Sequence, residues 1–334
     1  MRKGLLASLA LILAITVIAP SSANPNAANG KGVPSANASG YWTEERRNNA
    51  IPREFQFEVG ATEGKLVPQA RKGGSGGGST TTSGTTYWPT SSRNEFVSRI
   101  TGKVFFTMNG LLYVCSGSLV DDGKTEIAVV ITAAHCVWDN KSQQFATNFE
   151  FWPNYDSSLI KERVGFKASL LFAHENFTKE NGFTTPATLH DFAFAVIPSP
   201  DSKLNPAEKL PGVDRSQFSS GKAHAFGYPA SRPYDGQELV YSTGTVSEDT
   251  YVYNQTWRLP STMNGGASGG PWYNGYTSGN SVGAVSSVNS YKYTSDKNSM
   301  YGPKFTDLTQ QLLAQAKKNV CPTSLTTISC KTLP

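Results

Sequence analysis

Three short stretches of this 334-residue chain hold side chains that can do chemistry together. Ile131-Thr132-Ala133-Ala134-His135-Cys136 is an apolar run ending in a histidine beside a cysteine. Leu189-His190-Asp191-Phe192-Ala193-Phe194-Ala195-Val196 places an acid at the mouth of a hydrophobic run, and Gly265-Gly266-Ala267-Ser268-Gly269-Gly270-Pro271 sets a serine in a glycine-rich turn. A serine hydroxyl is a weak nucleophile and needs a base within hydrogen-bond reach. An imidazole is such a base, and a carboxylate on its far nitrogen fixes the tautomer. Ser268, His135 and Asp191 are the candidates for these roles. Taken singly each has an ordinary explanation: a core histidine, an acid at a loop end, a serine in a turn. The conjunction of all three points to acyl transfer. His174, His190 and His224 read as structural or surface residues.

Three groups so far apart in sequence need a rigid frame. From about residue 95 short apolar runs recur between turn residues: Val104-Phe105-Phe106, Leu111 to Val114, Ile127 to Thr132, Phe192 to Ile197, Ala223 to Tyr228 and Val282 to Val285. Closely spaced strands with almost no helical periodicity predict an all-β sandwich or barrel. The exception is the C-terminus, where Leu308, Leu312, Leu313, Ala316 and Val320 fall on one helical face, with Asp307 near its start and Lys317-Lys318 near its end.

The stretches TAAHC, DFAFAV and GASGGP, in the order His, Asp, Ser, resemble the three catalytic blocks of chymotrypsin-clan (trypsin-like) serine peptidases. GKVFFT and the preceding pro-segment resemble secreted microbial members related to the glutamyl endopeptidases. The similarity spans residues 100–320. It implies two six-stranded antiparallel Greek-key barrels with a C-terminal helix, hydrolysis of polypeptide substrates through an acyl-enzyme, and no cofactor. It also implies an oxyanion pocket made by the N–H groups of Gly266 and Ser268. Four cysteines formally allow three pairings; the resemblance implies Cys115–Cys136, bracing His135, and so Cys321–Cys330. A zinc site is disfavoured, since the cysteines and histidines lack metal-ligand spacing. The competing class is a catalytically inactive binding or adhesion protein on the same fold, and retention of all three blocks argues against it.

The chain departs from that family in two places. Ala267 stands where trypsin-like enzymes carry an acid that pairs with a newly released α-amino group, so cleavage at Arg99-Ile100 would create a terminus with no partner acid there. The pro-segment is therefore expected to act by assisting folding or by steric blocking. Around the specificity pocket, an ungapped reading puts Ser286 in support of the triad acid, Ser287 and Val288 along the cleft, Thr262 at the pocket base and Met300 filling it. Val285 stands where glutamyl endopeptidases have a histidine. That set predicts a shallow apolar pocket for small or aliphatic side chains.

Arg2 and Lys3, the apolar run Leu5 to Ala19 and Ser21-Ser22-Ala23 read as a signal peptide over 1–23. Residues 24–99 read as a pro-segment, with a Gly/Ser/Thr-rich linker at 73–86 and a capped helix near Tyr41 to Arg47; 100–334 reads as the peptidase domain. The net charge of +5 invites a nucleic-acid reading, but Arg2 and Lys3 carry two of those charges and residues 24–99 carry three, leaving 100–334 neutral. A phosphate-binding face is thus not supported. The expectation is an exported, soluble monomer with no membrane partner once the leader is gone.

Overall fold

Long β-branched and aromatic runs that no helix period can accommodate become strands buried on both faces. Ile127–Thr132 is buried throughout, and it lies antiparallel between Leu111–Val120 and Ala193–Pro198. The computed structural model describes residues 40–67, 84–123, 126–198, 204, 206–215, 218, 221–279, 281–324 and 327–334; the leader expected at 1–23 and the linker up to residue 83 lie outside them. Among the described residues the largest sheet has nine strands, and smaller sheets have seven and five. Nearly all pairing is antiparallel, and the sheets curl around two apolar clusters. The larger gathers the nine-stranded sheet; the smaller holds Leu259, Met263, Ala267, Trp272 and Met300.

Register does the positioning. Thr132 pairs with Ala193, so the turn at Ala134–Cys136 and the residues before Ala193 emerge at the same sheet end. That brings His135 beside Asp191. The serine loop enters the five-stranded sheet at Pro271–Asn274, which pairs with Lys222–Gly227 and Ala284–Val288. It is tied to the nine-stranded sheet where Ser116 N–H donates to the Ser268 carbonyl at 2.7 Å. The C-terminal helix, Asp307–Lys317, buries Leu312, Leu313 and Ala316 as its periodicity requires, with Thr306 and Thr309 forming a reciprocal capping box. Val320 lies beyond the helix and is exposed. No helix among the described residues is long and apolar enough to cross a membrane.

The N-terminal region is woven into these sheets. Thr43 caps the helix Glu44–Asn49, its side chain accepting from Arg46 N–H. Ile51–Pro52 then pairs with Tyr113 and Val114, and Phe55–Phe57 pairs with Tyr291–Tyr293; both pairings are parallel. Glu63–Leu66 folds back on Phe55 and meets Phe183–Thr184. Residues 51–66 thus form a strap bonded on both sides. The expected linker gives way to structure at its end: Thr85–Tyr87 is a strand paired with Val240 to Ser242, where Thr85 Oγ1 meets Ser242 Oγ at 2.8 Å. Phe96, Val97 and Ile100 are buried in the core.

Candidate active site

His135 and Asp191 are joined twice. Asp191 Oδ1 accepts from the His135 backbone N–H at 2.8 Å, and Oδ2 lies 2.7 Å from His135 Nδ1. Both side chains are buried, so the pair is shielded from water. The Cys115–Cys136 disulfide fastens the residue after His135 to the neighbouring strand, and Cys321–Cys330 closes a loop near the C-terminus. The first pair lies against His135 in a cluster of metal-ligand type, but the two sulfurs are bonded to each other and are not thiolates.

The loop around Ser268 is built from backbone that only glycine tolerates well. Gly266 (φ 98°) would drive a Cβ to 2.7 Å from the Tyr228 carbonyl, and Gly269 (φ 81°) would drive one to 2.1 Å from Thr132 Oγ1. The resulting amide pattern is selective. Ala267 N–H donates to Asn264, Gly269 to Asn289 and Gly270 to Ala267. Among the described residues, the Gly266 and Ser268 amides donate to no acceptor. Two unengaged N–H groups flanking a serine are a ready anion pocket.

The hydroxyl itself is engaged by the strap. Ser268 Oγ donates to the Arg53 carbonyl at 3.1 Å, while His135 Nε2, also buried, has no hydrogen-bond partner. Arg53 reaches the histidine as well: its Nε donates to the His135 carbonyl at 2.7 Å, and its guanidinium pairs with Asp139 at 3.0 Å. Burial alone would raise the Asp139 carboxyl, but the Ser142 N–H, Arg53 and the Lys141 N–H outweigh it and hold it below the usual carboxylate range. Phe55 stacks on Phe183 with ring centroids 4.2 Å apart and meets the His135 ring edge-on at 5.4 Å.

Ser286, Ser287 and Val288 stand on Ala284–Val288, fully buried against Pro271–Asn274, and Ser287 Oγ donates to the Pro303 carbonyl at 2.8 Å. The hydroxyl that supports Asp191 is Ser290, whose Oγ donates to Oδ2. The ungapped reading put that role on Ser286, which lies on Ala284–Val288, whereas Ser290 lies in the link that follows that strand. Thr262 bonds to Tyr234 and to Thr85 through its N–H. Met300 is buried beside Met263 and Trp272. A lysine stands next to the serine loop: Lys292, on the strand that Ser290 leads into, donates to the carbonyls of Ser261 (3.1 Å) and Met263 (2.8 Å). Arg53, Glu54, Ser290 and Lys292 escaped sequence reasoning, since no local spacing ties them to Ser268.

A family model described as a trypsin-like peptidase domain matches residues 115–283. The protease Anisep from Arthrobacter nicotinovorans is 33% identical over 66% of this chain and 96% of its own, with a TM-score of 0.57. The thermostable serine protease AL20 from an extremophilic microorganism is 34% identical over 67% of this chain and 99% of its own, also with a TM-score of 0.57. A Glu endopeptidase is 18% identical over 71% and 97%, with a TM-score of 0.52, a likeness of fold. No curated protein matches the sequence. The architecture is that of the chymotrypsin-like double β-barrel with a C-terminal helix.

Proposed function

Because this chain belongs to the trypsin-like peptidase family, we propose that it is a secreted serine endopeptidase held as a zymogen by its own N-terminal strap. Ser268 Oγ attacks the scissile carbonyl as His135 Nε2 takes its proton. Asp191 holds the imidazole through Nδ1, and the Gly266 and Ser268 amides receive the oxyanion. His135 then protonates the leaving amine, and water resolves the acyl-enzyme by the same route. The observation carrying this reading is the doubly bonded His135–Asp191 pair together with a serine whose own amide and that of Gly266 are unengaged.

Within it, the strap is an off-switch. The Arg53 carbonyl accepts the hydrogen bond that the hydroxyl would give His135, and neither the Gly266 nor the Ser268 amide donates to that oxygen, so the strap peptide is not held for acylation. No terminal ammonium is needed, which agrees with Ala267 and with Ile100 being buried inside the helix Phe96–Ile100. Residues 1–23 serve as the leader, and residues 24–99 as the pro-segment that contains the strap. The experiment is titration of the matured protein with an organophosphonate. One equivalent should bind, and Ser268→Ala should abolish it; a matured wild-type protein that takes up none would identify an inactive binding protein instead.

A further inference from the structure

Glu54 follows the residue that engages Ser268, and its buried side chain packs against the serine loop at Gly265. Its Oε2 lies 2.8 Å from where a Cβ on Gly265 would stand, and Oε1 accepts from Gln56 Nε2 at 3.1 Å. Gln56 is in register with Lys292 on the neighbouring strand. Lys292 is only 4% exposed, and its ammonium has three protons, of which two go to the Ser261 and Met263 carbonyls. Those carbonyls belong to the segment that runs directly into Gly265 and Gly266. Beside the serine loop there is therefore a buried cation with, among the described residues, one proton not donated. Burial pulls the Lys292 ammonium down to about 8, with Glu54 and then Asp296 opposing the fall. Burial likewise raises the Glu54 carboxyl, against the pull of Gln56, Lys292 and the Gly265 N–H. The two groups see each other.

Resting on the reading of Ser268 as nucleophile, we propose that Lys292 provides a binding site for a carboxylate side chain, so that the enzyme cleaves on the carboxyl side of glutamate or aspartate, with Glu54 holding the site in the zymogen. When the strap leaves, Lys292 loses the stronger of its two counter-charges, Glu54, and keeps only Asp296. An acidic substrate side chain restores the charge balance. A basic side chain would meet a like charge, and an aliphatic one would leave the third proton unpaired.

The test uses the matured protein, titrated first with diisopropyl fluorophosphate, a small uncharged reagent that reports the nucleophile alone. Isosteric peptides with Glu or Gln before the cut are then compared. Glu should be preferred by about 10- to 100-fold in kcat/KM, the scale of a buried charge-assisted hydrogen bond. Lys292→Met should erase that preference and leave the titration at one equivalent, whereas Lys292→Arg should retain a preference for acids. Equal cleavage after Glu and Gln by a fully titrating wild-type enzyme, or an unchanged Glu preference in the Met variant, would overturn the proposal. The wild-type comparison decides the matter even where the Met variant does not fold. Failure to titrate at all would remove the nucleophile, and this site with it.

Discussion

The carboxylate of Asp191 is shared among three donors: the His135 N–H, the His135 ring and the Ser290 hydroxyl. Two of those bonds set the imidazole, and the third fixes the acid without touching the reacting atoms. Ser290→Ala keeps both histidine contacts but leaves one side of a buried carboxylate less satisfied. It should lower kcat about tenfold, the value of roughly one charge-assisted bond, with KM little changed. A KM rise at constant kcat would instead place Ser290 in substrate binding. Residues such as His135, Asp191 and Ser268 were legible from sequence because each lies in a distinctive local pattern. Ser290 was not, since it lies in the two-residue link after Ala284–Val288, only four residues beyond Ser286. Only the pairing of Val288 with Pro271 and of Tyr291 with Phe55 separates their environments.

Elements with local signatures were readable in the same way. The Thr43 cap and the stripe of Leu312, Leu313 and Ala316 each predicted a helix that exists. The strap is different, because its position depends on parallel register with strands more than sixty residues away, and a run such as Arg53-Glu54-Phe55 reads as an ordinary edge. Its anchor is Arg53, 2% exposed and paired to Asp139, with the guanidinium carbon 5.3 Å from the ring centres of both Phe55 and Tyr113. Removing one partner of a buried ion pair costs more than the pair contributes, since the other charge stays behind. Here Asp139 keeps Asn109 and the Lys141 and Ser142 N–H groups, which soften the loss. Arg53→Ala in the full chain should therefore open the strap and raise basal ester hydrolysis by about 10- to 100-fold, less than the roughly 3–5 kcal/mol typical of breaking such a pair, because Asp139 keeps those donors. Activity that stays at the zymogen level would show that the block lies elsewhere.

At the scale of the whole molecule, acid sensitivity follows from how the histidines are buried. His190 stacks on His174 with ring centroids 5.7 Å apart, directly before Asp191 in the chain. Burial pushes His190 down to about 4, with His174 and Lys179 adding repulsion. His174 is lowered by burial despite Glu175, and His224 by burial and Lys222. A lowered base binds its proton in the unfolded chain before the folded one accepts it, so the unfolded state gains protons as pH falls from about 6.5 to about 4, and stability falls with it. Glu54 works the other way: burial raises its carboxyl, so the folded chain binds that proton before the unfolded one and gains stability from it as pH falls. The carboxylates held low, Asp139 and Asp296, lose their contribution only below their ordinary range near 3.8. Between pH 6.5 and 4 the histidines therefore set the slope. Thermal melts should show Tm dropping across that window, and His190→Gln should make the drop shallower while leaving Tm at pH 8 nearly unchanged. A wild-type Tm that is flat to pH 4 would mean that His190 protonates in place, in the folded protein, at its ordinary value.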